Sequence, residues 1–201
     1  MCGFFGIFSP DKMNHDKETF KSLTNLINHR GPDDEGFFFN KNIYLGFKRL
    51  SIIDIKNGKQ PFESQNQRYV ILFNGEIYNY KKLRQNLIDH NIKLKTNSDT
   101  ETLVESISYF GLSVVSKFNG MFSFALYDKK ESVLYLFRDR LGIKPLYYFH
   151  NSKKILFSSE IKPLIKSNEF DKKINFDAIS SYLSFRFNYG VGNYFENIQT
   201  V

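Results

Sequence analysis

The sequence predicts an α+β chain of antiparallel sheets covered by helices, and three observations lead there. Between Met121 and Ser158 four strand-like segments follow one another with only short turns between them. Helical segments are few and do not alternate with strands, which argues against parallel βαβ units. The composition, 41% hydrophobic and 17% aromatic with 22 Phe and 12 Tyr, supports a sizeable core in a chain of 201 residues.

Each element has its own signal. Cys2 to Phe8, rich in Phe and Ile and closed by Ser9-Pro10, reads as a buried strand. Phe20, Leu23, Leu26 and Ile27 recur at helical spacing and predict a helix from Asp16 to His29. Arg30 to Gly36 reads as a loop, followed by strands at Phe37–Asn40 and Ile43–Lys48, a short apolar run at Leu50–Ile55 and a turn at Asn57-Gly58. Tyr69–Phe73 predicts a strand that ends at Asn74-Gly75. Asn79 predicts the cap of a helix running to His90, with Leu83, Leu87 and Ile88 facing inward. Ile92–Thr96 predicts a short strand, and Ser98-Asp99-Thr100-Glu101 has capping-box spacing at the start of a helix to Phe110. The four consecutive strands are Met121–Tyr127, Val133–Arg138, Leu146–His150 and Lys154–Ser158, followed by helices at Glu160–Lys166 and Phe176–Phe185. The tail ends at Thr200-Val201 with no turn or cap, which predicts that the architecture continues past this chain.

The net charge of +7 comes from scattered lysines and arginines, and no helix carries a basic stripe, so a nucleic-acid partner is not expected. No segment approaches the ~20 apolar residues of a membrane span, and Met1 to Pro10 has no basic n-region, so neither membrane nor secretion is expected. A single cysteine forms no internal disulfide and suits a reducing, cytoplasmic compartment. The four histidines are widely separated, so no metal site is expected, and neither a P-loop nor a Gly-Gly pair supports nucleotide chemistry within this chain.

Cys2 is that single cysteine, one residue behind the initiator. With Met1 removed, one residue carries a thiol of reference pKa about 8.5 and an α-amine near 7.7–8.0 that can act as its base. The same residue could equally be a small apolar head to a buried strand. The motifs around it decide between these. Arg30-Gly31-Pro32-Asp33, Arg49-Leu50-Ser51-Ile52-Ile53, Asn74-Gly75-Glu76-Ile77-Tyr78-Asn79 and Ser98-Asp99 follow the Met-Cys-Gly opening, and Asn119–Ala125, Arg138–Tyr148 and Phe157–Glu160 continue the series. In this order and spacing they resemble the glutaminase domain of glutamine-dependent asparagine synthetases, a class II glutamine amidotransferase of the N-terminal-nucleophile hydrolase superfamily.

The resemblance implies a four-layer αββα sandwich of two antiparallel sheets. It also assigns roles. Cys2 is the nucleophile on the side-chain amide of L-glutamine. The Asn74 amide and the Gly75 backbone N–H hold the oxyanion. Arg49 grips the α-carboxylate, and Asp99 accepts from the α-ammonium with Glu76 close by. Leu50, Ser51, Ile52 and Ile53 line the pocket. Residues 1–170 would form the amidotransferase domain and 171–201 its C-terminal part and the lead-in to an absent synthetase domain. The glutaminase step needs no cofactor, and ATP and Mg are expected only in that absent domain, which would be a partner in cis. Oligomeric state stays open, a homodimer included. Two rivals stand beside this reading: the same glutaminase serving another acceptor, a sugar or a secondary metabolite, and a non-catalytic binding or assembly module of the same fold.

Overall fold

The structure, a computed structural model, describes every residue of the chain except Asn14, His15, Ile52, Ile53, Ile55, Lys56, Tyr189 and Val191. Its described strands are β1 (Gly3–Phe8), β2 (Asp34–Phe39), β3 (Ile43–Arg49), β4 (Phe62–Glu63), β5 (Tyr69–Ile77), β6 (Gly120–Asp128), β7 (Val133–Arg138), β8 (Tyr147–His150), β9 (Ile155–Ser158) and β10 (Ile198–Thr200). The helices are α1 (Lys17–Asn25), α2 (Tyr80–Asp89), α3 (Asp99–Phe110), α4 (Ile161–Lys166) and α5 (Phe176–Phe185), with 3-10 turns at Asn28–Arg30 and Leu112–Lys117. One sheet has the order β10-β8-β9-β1-β3-β2 and the other β4-β5-β6-β7, every pairing antiparallel.

The period-two alternation of the strands builds the layers, because successive side chains leave opposite faces. Phe4, Phe8, Leu45 and Phe47 of the first sheet meet Val70, Leu72, Ala125 and Tyr127 of the second in a shared core. The alternate residues Phe5, Ile7 and Tyr44 face outward under Phe20 of α1 and Leu164 of α4. Ile71, Phe73, Phe124 and Leu126 face the other way, under Leu103, Val104 and Ile107 of α3 and Leu83 of α2. This is the αββα sandwich. Gly6 is required within it: a Cβ there would lie 2.1 Å from the Phe157 ring that fills the space between the sheets.

Several expectations are corrected. Asn74-Gly75 does not end its strand: β5 continues to Ile77, with Asn74 opposite Ser123 and Gly75 opposite Phe122. The ladder to β6 overrides the local turn preference of the pair. Ile92–Thr96 is not a strand. The amides of Lys95 and Thr96 instead donate to the buried Glu101 carboxylate at 2.8 and 2.7 Å, which satisfies them without a sheet edge. Ser98 caps α3 as expected, accepting from Glu101 N at 3.1 Å, but the Glu101 side chain serves that preceding loop and not the reciprocal half of a capping box. Asn79 precedes α2 without a side-chain cap bond; it donates to Lys117 O and accepts from Asn119 N, fastening α2 to the start of β6. Helix α1 stops at Asn25, short of His29. β4 and β10 were not foreseen, and β10 places part of residues 171–201 on the edge of the first sheet, against β8.

Candidate active site

Cys2 stands at the head of β1, where strand pairing begins at Gly3 opposite Lys48. Its backbone carbonyl accepts from Arg30 Nε at 3.0 Å, and the Arg30 guanidinium also reaches Glu160 at 3.1 Å. The thiol rests on the Leu50 peptide: Sγ lies 3.5 Å from Leu50 O and 3.4 Å from Leu50 N. Burial pushes the Cys2 thiol up, against the opposing pull of the Leu50 N–H, the N-terminal ammonium, Arg49 and Arg30. A thiol raised in this way stays protonated near neutrality until a base takes its proton.

The thiol opens on a cavity of about 170 Å³ that is also lined by Arg49, Leu50, Asn74, Gly75, Glu76 and Asp99. Seven of the sequence-predicted site residues therefore meet at one place. Ser51 does not line it; its N–H donates to Asp33 Oδ2 at 2.8 Å. Ile52 and Ile53 lie outside the described residues.

Each wall has a local cause. Asn74 is 1% exposed, held by the β5–β6 ladder, and its Nδ2 has no hydrogen-bond partner among the described residues. An unpartnered buried amide is costly by about 1–3 kcal/mol unless a ligand satisfies it. Gly75 must be glycine here, since a Cβ would fall 2.2 Å from Met121 O. Asp99 is the first residue of α3 and accepts from Ile77 N at 3.2 Å. Burial drives its pKa up to about 6, with the nearby Glu76 charge adding to the rise, although the amides of Ile77, Thr100 and Asp99 itself oppose it. Arg49, at the end of β3, is buried and donates from Nη2 to Asp54 O at 2.8 Å. The cavity thus presents a cation, an acid, an unsatisfied donor and a nucleophile together. That set fits a zwitterionic amino acid with an electrophilic carbon on its side chain.

Sequence reasoning missed Gln60, Thr100, Met121 and Lys144, which also line the cavity. Gln60 accepts from Phe73 N at 2.6 Å and donates to Phe73 O at 3.0 Å, so its carboxamide stands in for a strand backbone at the edge of β5. Lys144 is held by the loop after β7, where the buried Asp139 carboxylate accepts from the amides of Phe122, Leu141, Ile143 and Lys144. Although burial opposes it, these amides hold Asp139 below the usual carboxylate range. Thus much of the Arg138–Tyr148 string is scaffold for one wall of the site. Met1 also lines the cavity, and its Sδ lies 3.1 Å from Lys144 Nζ.

The chain resembles known proteins along its whole length. The family model of the glutamine amidotransferase domain matches residues 1–201. The chain is 41% identical over 190 residues to glutamine-hydrolyzing asparagine synthetase 1 of Bacillus subtilis, covering 93% of this chain and 30% of that protein. It is 37% identical over 168 residues to glutamine-hydrolyzing asparagine synthetase B of Escherichia coli, covering 82% of this chain and 30% of that protein. It therefore spans about a third of the length of these curated relatives. Among solved structures, the glutamine phosphoribosylpyrophosphate amidotransferase of Bacillus subtilis superimposes with a TM-score of 0.66 at 20% identity, over 82% of this chain and 43% of that one, which establishes the shared fold. With the whole chain matched by its model, this chain belongs to the glutamine amidotransferase domain family.

Proposed function

We propose that this chain hydrolyses L-glutamine to glutamate and ammonia at Cys2. The observation that carries the reading is the buried, unpartnered Asn74 amide, set on the same cavity as the Cys2 thiol. With Met1 removed, the Cys2 amine takes the thiol proton and Sγ bonds to the side-chain amide carbon of glutamine. The carbonyl oxygen becomes an oxyanion, held by Asn74 Nδ2 and the Gly75 N–H. Collapse breaks the C–N bond, and the amine's proton leaves with ammonia. Water, deprotonated by the same amine, then cleaves the thioester to give glutamate and the free thiol. Arg49 grips the α-carboxylate through its planar fork, and Asp99, with Glu76 beside it, receives the α-ammonium.

Relatives that are asparagine synthetases support a fate for the ammonia. In an intact protein it would pass to a synthetase domain in cis that makes asparagine from aspartate, using ATP and Mg held in that domain. A different acceptor is the second reading; one relative, 39% identical over 151 residues, is amidase chry2 of Gibberella zeae, whose name is not that of an asparagine synthetase. The test is glutamate release from L-glutamine by protein whose N-terminal mass shows that Met1 is gone, beside Cys2→Ala. Turnover is expected in the first and none in the second; turnover surviving in Cys2→Ala, or absent from folded, processed protein, overturns the reading.

A further inference from the structure

We propose that Asp54 is a positioning residue for glutamine, tying the Arg49 guanidinium to the start of α3 and so fixing the spacing of the two charges that hold the substrate's α-carbon. The inference rests on the reading of Arg49 and Asp99 as partners of the α-carboxylate and α-ammonium. Asp54 does not itself line the cavity. Its backbone carbonyl accepts from Arg49 Nη2 at 2.8 Å. Its carboxylate Oδ2 accepts from Asn97 N at 2.8 Å, one residue before the Ser98 cap and two before Asp99. Oδ1 accepts from Asn57 N at 3.2 Å and from Asn57 Nδ2 at 3.1 Å, which closes the turn on the other side. One residue thus connects both poles of the clamp across segments that are 43 residues apart in sequence.

The chemistry suits the task. Asp54 has φ +45°, in the left-handed region, which Asp tolerates better than most non-glycine residues. The Asn97 amide, and after it Asn57 and Arg49, hold its carboxyl below the ordinary range despite some burial, so the tie stays ionised and charge-assisted near neutrality. A long arginine side chain grips a carboxylate well only when its orientation is fixed beforehand.

Asp54→Gly tests this, because it keeps the positive φ and the carbonyl that Arg49 uses while removing the carboxylate. In steady-state glutaminase assays on Met1-free protein, KM for glutamine is expected to rise about tenfold with kcat within about twofold. Asn57→Ala, which spares the Asn97 bond, is expected to leave KM within about twofold. A wild-type KM in Asp54→Gly, or a fall in kcat at unchanged KM, overturns the proposal. Should Asp54→Gly fail to fold, Asp54→Asn decides: one acceptor oxygen is left for two sets of donors, so KM rises about threefold or more, and an unchanged KM overturns the proposal. Wild-type protein without turnover sinks the glutaminase reading and this inference together, whereas active wild type with a normal Asp54→Gly sinks this inference alone.

Discussion

Phe73–Glu76 and the group Arg49, Leu50, Gly58 and Gln60 line the same cavity, yet the first is a run of strand β5 and the second, after Arg49, lies outside the described strands and helices. Asn74 and Gly75 sit in the β5–β6 ladder, opposite Ser123 and Phe122, with no room at Gly75 for even a methyl group. On the other wall, β3 ends at Arg49, and the described part of the connection to β4 is held by a handful of hydrogen bonds through Asp54 and Gln60. The division matches two demands. An oxyanion needs donors that do not move during the reaction, which a sheet provides. A substrate must also be gripped before it reacts, which calls for charged side chains at fixed spacing. Substitutions on the strand wall should therefore act on kcat, and those on the loop wall on KM.

The largest effect that separates the walls is expected at Asn74. On the proposed mechanism Asn74→Ala removes one oxyanion donor and should lower kcat about 10²–10³-fold with little change in KM. Steady-state kinetics with glutamine check this. A rise in KM at constant kcat would place the Asn74 amide on the ground-state substrate and erase the distinction between the walls.

Asp99 comes next, because it is carried by α3 and, on the proposed reading, serves the ground state. Burial pushes its carboxyl up to about 6, so kcat/KM should fall about tenfold per pH unit below that value as the proposed acceptor for the α-ammonium is protonated. The same shift acts on stability. A carboxyl with pKa about 6 folded and 3.8 when exposed binds protons more tightly in the folded state, so its charge destabilises the fold above pH 6. The cost is on the order of 3 kcal/mol, declines as pH falls from 6 to 3.8, and is gone below that. Asp99→Asn should accordingly be more stable than wild type in urea at pH 7.5, lose that margin toward pH 4, and bind glutamine poorly throughout. Equal stability at pH 7.5 would mean that burial does not penalise this carboxylate.

The strand wall and the loop wall also differ in how far the sequence discloses them. Cys2, Arg49, Asn74, Gly75, Glu76 and Asp99 stand in strings specific enough to be read in order, and the structure brings them to one cavity. The layers were legible too, because strands such as Tyr69–Phe73 and Met121–Tyr127 send alternate side chains to two different cores. What stayed hidden depends on partners distant in sequence. Asn-Gly is a strong turn signal, and only the β6 backbone converts it to strand. Nothing local to Ile92–Thr96 shows that a carboxylate from the next helix will take its amides. β4 is two residues long and β10 three, too short for periodicity to register. Lys144 is an apolar-flanked lysine in a turn until Asp139 gathers four amides and draws that loop over the site.

Gln60 sharpens the comparison with the smallest expected effect. It lies at the far end of the loop wall, 9% exposed, and joins that wall to the strand wall through both backbone groups of Phe73, the residue before Asn74. Its Nε2 also reaches Thr100 Oγ1 at 3.4 Å, beside Asp99. Gln60→Ala leaves the Phe73 N–H and C=O without those partners and should cost about 2 kcal/mol in urea denaturation. If the loop is anchored by this bond while the strand is held by its ladder, KM rises a few-fold, on the order of three, and kcat stays within about twofold. A loss confined to kcat would instead mean that the carboxamide keeps the oxyanion donor next door in register. The division would then lie between residues that touch the β5 ladder and those that do not.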